Sequence, residues 1–313
     1  MTYRSAALAV CLLVITVAAY STAIGGGFIW DDDDYVTENA TIRSFAGLRA
    51  IWLDPSATPQ YYPLVHSSFW VEYQLWGLWP AGYHLVNVLL HVVNSLLLWR
   101  LLERFRVPAA WLAALVFAVH PVHVESVAWI TERKNVLSGC FYLTSLLCFL
   151  RFWDFTNEDL TREHKLRGWY YAALLFFLFA MWSKTVAATL PAAICVLVWW
   201  QRGRISPRVV TVLTPMFVIG IGLGLLTVWL EKHQVGAKGI DWQLSLVDRC
   251  LIAGRAIVFY AGKLLWPAKL TFIYPRWQID STARLQYAFP TLVITAIAAL
   301  WGLRKRIGRG PLA

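Results

Sequence analysis

The chain has 313 residues, 58% of them hydrophobic and 15% charged, where soluble domains carry about 25% charged residues. That balance excludes a soluble globular protein, and apolar runs that are continuous rather than alternating exclude a membrane barrel. The net charge of +10 does not point to nucleic acid, because the basic residues fall in short loops between apolar runs, where membrane insertion places them.

The fold class read from this is all-α: a polytopic integral membrane helical bundle of about eight spans, with residues 1–313 forming a single membrane domain. Several runs reach the ~20 residues that a bilayer-crossing helix needs, and the 18 tryptophans suit anchoring at the two interfaces. Cys11, Cys140, Cys148, Cys195 and Cys250 lie in or beside apolar runs without metal-type spacing. They read as small buried hydrophobes.

Arg4 and the run 5–24 predict a first span with its N-terminus inside; the competing reading is a cleaved signal peptide ending near Ser21-Thr22-Ala23. Residues 25–82 form a long first outer loop, opening with Trp30-Asp31-Asp32-Asp33-Asp34-Tyr35. Carboxylates this close repel one another, which raises at least one pKa unless cations or water compensate. Further along, Ile42, Phe45, Leu48 and Ile51 recur every three residues, as do Trp70, Tyr73, Trp76 and Trp79. Both stretches predict amphipathic helices on the membrane surface. Asn39-Ala40-Thr41 matches a glycosylation acceptor, a short pattern that is frequent by chance.

A second span, about 83–102, carries His84, Asn87, His91 and Asn94 on one helix face. Polar groups at membrane depth are costly, so this face looks inward, either as interhelical hydrogen-bond glue or as the lining of a wet cavity. A short third span, about 109–120, ends at Pro121, which breaks the helix and permits a polar turn through His120, His123, Glu125 and Arg133. His and carboxylate here admit a divalent metal or a hydrogen-bonded turn; no further ligand set is identifiable, and neither metal nor cofactor is assigned. Later spans fall near 136–153, 168–182, 186–200, 209–230 and 288–303. A charged inner loop runs from Asp154 to Arg167, and Gly220, Gly222 and Gly224 allow close helix approach. Residues 231–287 form an outer segment in which 248–266, with Arg249, Arg255 and Lys263, lies as an interfacial or re-entrant helix. Crossing there would put the terminal cations Arg304-Lys305-Arg306 outside. Both termini are then cytoplasmic.

This threading leaves Asp31–Asp34, His120, His123, Glu125, Arg133, Lys184 and Arg255 on the outer face. Outer cations run against the usual bias and mark function. A carboxylate cluster and separate cations on one face suit a reaction with a phosphate leaving group, in which cations stabilise the phosphate and a carboxylate accepts the nucleophile's proton.

At these residues the chain resembles the GT-C glycosyltransferase superfamily. More closely, it resembles the membrane domain of the transmembrane-and-TPR-containing (TMTC) O-mannosyltransferase relatives and their bacterial homologues. The likeness rests on Gly27-Phe28-Ile29-Trp30-Asp31-Asp32, Tyr62-Pro63-Leu64, Gly82 through Asn94, His120 through Arg133, Ser183-Lys184 with Thr189-Leu190-Pro191, and Tyr260 through Trp266-Pro267 to Tyr274-Pro275, in that order. No TPR domain is read in the chain. The resemblance implies an inverting transfer of a mannose-like sugar from a polyprenyl- or dolichyl-phosphate carrier to an extracytoplasmic protein or glycan acceptor. The setting it implies is a bacterial inner membrane or an ER-type membrane. It puts the catalytic base at Asp31 or Asp32 and the donor phosphate at Arg133 and Lys184. His84, Asn87, His91, His120, His123, Glu125 and Arg255 are the expected substrate cavity. A transporter or flippase of a lipid-linked substrate, and an inactive membrane scaffold, are the competing readings.

Overall fold

The computed structural model describes residues 3–153, 160–235 and 244–312, and every regular element among them is helical. Parts of the expected charged inner loop (154–159) and of the 231–287 segment (236–243) lie outside the described residues. The chain divides into two compact units, Met1–Cys195 with Ser206–Gly236, and Val196–Ile205 with Ala237–Ala313.

The first unit begins with α1 (Tyr3–Ala19) and the short α2 (Ser21–Ile24), then enters the outer loop with α3 (Phe45–Leu53) and α4 (Pro63–Trp76). It continues through α5 (Pro80–Arg104), α6 (Ala110–Val119), α7 (Val124–Ala128), α8 (Arg133–Phe152), α9 (Leu160–Ser183), the start of α10 (Leu190–Arg202) and α11 (Pro207–Leu230). Proline opens α4, α5 and α11 at the first turn, where its missing N–H has no intrahelical partner to lose. Five helices among the described residues are long and apolar enough to cross a membrane: Pro80–Arg104, Arg133–Phe152, Thr185–Arg202, Pro207–His233 and Arg284–Ile307. The pair Ala110–Val119 and Pro121–Ala128, bent by 48°, makes a sixth if it is one broken span. Of the about eight spans read from the sequence, the first corresponds to Tyr3–Ala19, which at 17 residues sits at the lower limit of spanning length. The fifth lies within α9.

Small polar side chains join these helices, as expected where apolar burial gives no preference for protein over lipid. Ser138 and Ser145 of α8 donate to the Ala180 and Ala173 carbonyls of α9 at 3.1 and 2.6 Å. Asn94 of α5 donates to the Val136 carbonyl at 2.8 Å, and Trp111 of α6 donates to the Leu8 carbonyl at 3.0 Å. Of the three glycines in α11, Gly220 packs against Ala188, where an added Cβ would lie 3.3 Å from the alanine methyl, whereas Gly222 and Gly224 face open space.

The outer loop has its own apolar core. Tyr35, Val36, Ile42, Tyr62, Val65 and Phe69 are buried with Tyr83, Ile130 and Leu137. Two expectations change here. The buried face of α4 runs through Val65, His66, Phe69 and Glu72; Trp70, Tyr73 and Trp76 are only partly buried at its edge. The three-residue spacing of the aromatic residues thus marks the rim of α4, and its core face runs through Val65 and Phe69 with the polar His66 and Glu72. Asn39 is buried, with its Nδ2 donating to the Tyr35 carbonyl and its Oδ1 accepting from the Thr41 N–H and hydroxyl. This side chain caps a turn instead of presenting a glycan acceptor.

In the second unit, α12 (Leu246–Leu265) and α13 (Ala288–Ile307) pack through Gly254, where a Cβ would lie 2.6 Å from the Pro290 nitrogen. A reciprocal Ser245–Asp248 capping box starts α12. The C-terminal turn of α10 joins the end of α13 through stacked Trp199 and Trp301 rings, 5.7 Å apart.

Candidate functional site

The acidic stretch is held by one of its own members. Asp32 is fully buried. One of its oxygens accepts the Ile29 N–H at 2.9 Å, and the other accepts the Thr131 N–H at 2.8 Å and the Thr131 hydroxyl at 2.5 Å. Burial pushes its carboxyl above the usual range, against the pull of the Thr131 and Ile29 donors and of His84. Three donors hold this carboxylate, and none of it reaches solvent. Asp31 is half-buried, while Asp33 and Asp34 are exposed. The two expected catalytic acids therefore divide: Asp32 clamps the turn, and Asp31 stands beside the surface.

The clamp brings residues 31–35 against residues 131–135. Glu132 is paired with Lys134 at 2.9 Å and lies 3.9 Å from the Lys184 ammonium. Lys184 also donates to Asn135 Oδ1 at 2.5 Å, and Asn135 donates to Glu132 and to Ser126. Lys134 lies over the Tyr35 ring, 5.6 Å from its centroid, and Tyr35 hydrogen-bonds Gln60 through its hydroxyl at 2.8 Å. Burial pushes the Tyr35 hydroxyl pKa up, helped by the negative Asp31, Glu132 and Asp34 nearby. Burial lowers the pKa of Lys184, and Glu132 draws it back up. The result is a compact group of carboxylates and ammonium groups beside Asp31, with Lys184 half-buried among them.

Arg133 sits differently from the sequence expectation. It is completely buried. Its Nε donates to Asn87 Oδ1 at 2.5 Å, and its two Nη atoms donate to Glu72, Ser68 and the Tyr83 carbonyl. All five N–H groups of a guanidinium are thus accepted by protein, and Phe69 covers one face, its centroid 4.9 Å away. No donor remains for a phosphate in this arrangement. Glu72, its ionic partner, is buried too, and burial raises its carboxyl pKa against the lowering effect of Arg133.

The polar face of α5 is mostly spent on structure. Asn87 donates to the Trp129 carbonyl at 3.0 Å while receiving Arg133, and His91 Nε2 meets the Ala118 carbonyl at 3.0 Å. Glue, one of the two readings of this face, describes Asn87, His91 and Asn94. His84 is the exception. It is buried, both its ring nitrogens lack a protein partner, and its Nε2 lies 3.2 Å from where a Cβ on Gly26 would sit. His120 accepts the Val122 N–H through Nδ1 at 3.2 Å, and His123 packs on Phe117 at 4.4 Å. Glu125 is exposed on α7. Among the described residues, no three His, Cys, Asp or Glu side chains converge as a metal-ion cage requires. Arg255 belongs to the second unit, where it stacks over Trp277 at 4.6 Å.

Sequence reasoning missed Glu72, Thr131, Glu132 and Lys134. Glu72 had a signal, being the only carboxylate in the 14 residues of α4, at the register of Val65 and Phe69. Thr131 had none, because its role is set by a contact 99 residues away.

The family described as dolichyl-phosphate-mannose-protein mannosyltransferase matches residues 68–229, a stretch that includes α5, α8, α9 and Lys184. Protein O-mannosyl-transferase F38B6.6 of Caenorhabditis elegans is 27% identical over 308 residues, covering 91% of this chain and 42% of its own length. Protein O-mannosyl-transferase tmtc2 of Xenopus laevis is 32% identical over 161 residues, 48% of this chain and 18% of its own. Human protein O-mannosyl-transferase TMTC4 is 27% identical over 203 residues, 56% of this chain and 27% of its own. The matched stretches therefore span between 18% and 42% of the length of these relatives. No solved structure matches it. The family match takes in more than half of the residues and runs through the helices that build the buried polar group, and on that ground the chain belongs to the dolichyl-phosphate-mannose-protein mannosyltransferase family of membrane proteins.

Proposed function

We propose that the chain is the membrane part of an inverting, GT-C-type glycosyltransferase. It moves a mannose-like sugar from a polyprenyl- or dolichyl-phosphate carrier to a protein Ser or Thr hydroxyl on the extracytoplasmic face. The observation that carries this reading is the Asp32–Thr131 clamp, which joins the acidic turn to the Glu132, Lys134 and Lys184 group. In the proposed reaction Asp31 accepts the proton of the acceptor hydroxyl as its oxygen attacks the anomeric carbon. The bond from that carbon to the carrier phosphate breaks on the opposite face, and the phosphate leaves as an anion. Lys184, with Lys134 beside it, stabilises that anion; the strength of charge-assisted bonds to phosphate makes this a large effect in a dry site. Arg133 contributes by holding α4, α5 and α8 in register.

The likeness to relatives named protein O-mannosyl-transferases supports the sugar and the acceptor class. The positive inner loops, with Arg202 and Lys305 opposite Asp31, support an outward-facing site with both termini cytoplasmic.

The test is transfer in membranes from a labelled polyprenyl-phosphate mannose to a Ser/Thr peptide. Asp31→Asn keeps size and an acceptor oxygen but removes the base, so turnover should fall by roughly 10²–10⁴-fold with donor binding kept. Lys184→Ala should weaken donor binding, and Asp33→Asn should do neither. Full transfer by Asp31→Asn would remove Asp31 from the chemistry, and lipid movement without sugar transfer in the wild type would favour the flippase.

A further inference from the structure

The second unit holds a basic, aromatic pocket that the proposed transfer does not use. Between the ends of α10 and α13 lies an open cavity of about 640 Å³, lined by Trp199, Trp200, Trp301, Arg304, Lys305 and Arg309 around Gly203. No carboxylate among the described residues lines it. Among the described residues, Arg304 and Arg309 are held by an indole ring and by backbone carbonyls, neutral groups that leave their charge in place. The Arg304 guanidinium lies 4.2 Å from the Trp301 ring centroid and bonds the Trp301 carbonyl. Arg309 donates one N–H to the Trp200 carbonyl at 3.4 Å. Each arginine engages one of its five N–H donors in a hydrogen bond among the described residues.

Gly203 makes the pocket possible. Its φ of +77° turns the chain after α10, and a Cβ there would lie 2.4 Å from the Arg309 guanidinium carbon. Gly308, at φ +82°, turns the chain at the end of α13 and sends Arg309 back. Two left-handed turns thus fold one arginine against the first helix's end, where the partial negative charge of both helix C-termini favours cations.

We propose that this pocket binds the phosphate head of an anionic phospholipid. The stacked Trp199 and Trp301 sit where two apolar helices finish, the level at which indoles meet lipid headgroups. Three cations around an open, water-reached concavity between helix ends match the chemistry of a phosphate diester. A free phosphate ion offers the same oxygens without the acyl chains that the exposed α13 surface (Leu292, Ile294, Ile297) would contact. The proposal is independent of sugar transfer.

Native mass spectrometry of the full chain, delipidated and then given phosphatidylglycerol or phosphatidylcholine, tests it. The wild type should retain phosphatidylglycerol in preference to phosphatidylcholine. The triple change Arg304→Gln, Lys305→Gln and Arg309→Gln should lower phosphatidylglycerol affinity by about tenfold or more, the loss of one charge-assisted bond or more. Gly203→Ala, which keeps every charge but displaces Arg309, should lower it in the same direction, and it carries the test if the triple variant does not fold. Arg100→Gln, in the first unit, should leave retention unchanged. Equal retention of the two lipids, or unaltered phosphatidylglycerol binding in both pocket variants, would overturn the assignment. Displacement of the lipid by an equimolar amount of inorganic phosphate would make the pocket a free-anion site and overturn it too.

Discussion

Taking away the Glu72 carboxylate would leave the Arg133 guanidinium charged, buried and short of two acceptors. Breaking a buried pair from one side costs about 3–5 kcal/mol. Glu72→Ala should therefore lower the melting temperature in detergent sharply, whereas the double change Glu72→Leu with Arg133→Met should recover much of the loss. A melting temperature unmoved by Glu72→Ala would mean that Arg133 is not held as described. His66 gives a second test, through pH. It is fully buried, stacked on Tyr35 at 4.9 Å, and burial pulls its pKa down to about 4. The native state thus binds the imidazole neutral, while the unfolded chain protonates near 6.5. Stability from this group is full above pH 6.5 and is lost as pH falls from there through about 4, a loss on the order of 3 kcal/mol. His66→Phe should flatten that part of the stability profile. At this scale the acidic stretch was legible as a cluster, but the separation of Asp31 from Asp32 was not. Burial of Asp32 depends on Thr131, and nothing local in the sequence marks that partnership.

Helices were more legible than the faces they bury. Length and hydropathy located α5, α8, α11 and α13 to within a few residues, because each run must satisfy its own backbone in an apolar medium. Pro121 marked the break between α6 and α7 for a steric reason that operates within one turn. The face of α4 was misjudged because tryptophan serves equally at a core and at its rim. The glycines of α11 show the same limit: three were candidates for close approach, and only Gly220 meets a neighbour among the described residues. This separates them experimentally. Gly220→Leu should push the 185–189 turn away and carry Lys184 with it, lowering donor affinity, while Gly224→Leu should change neither affinity nor melting temperature. Equal behaviour of the two variants would show that the Ala188 contact does not position Lys184.

For the whole molecule, charge asymmetry was the informative quantity. The stacking of Trp199 on Trp301 puts the ends of α10 and α13 together, so Arg202 and Lys305 lie at the same end of this helix pair, as the proposed inner-loop cation excess requires. The proposed topology sets Asp31 on the other face. Single cysteines at 33 and at 202, introduced after the native cysteines are replaced, should be labelled by an impermeant maleimide from opposite sides of sealed membranes. Labelling of both from outside would refute the threading. Hydropathy does not divide the two units, but charge does: the first holds 15 Lys and Arg against 15 Asp and Glu, the second 13 against 3, so the whole net charge of +10 falls in the second.

The bond between Asp32 and Thr131 also has a consequence in time. The two residues are 99 positions apart, and ribosomes add roughly 5–20 residues per second. For roughly 5–20 seconds after Asp32 is made, its future partner does not exist, and the carboxylate must stay in water with its turn unformed. Burial of the acidic turn therefore waits for the insertion of α5 and of the bent pair that precedes Thr131. The site is assembled by the arrival of a late segment on an early one, and a nascent chain stalled before residue 131 should expose the whole Asp31–Asp34 stretch to solvent.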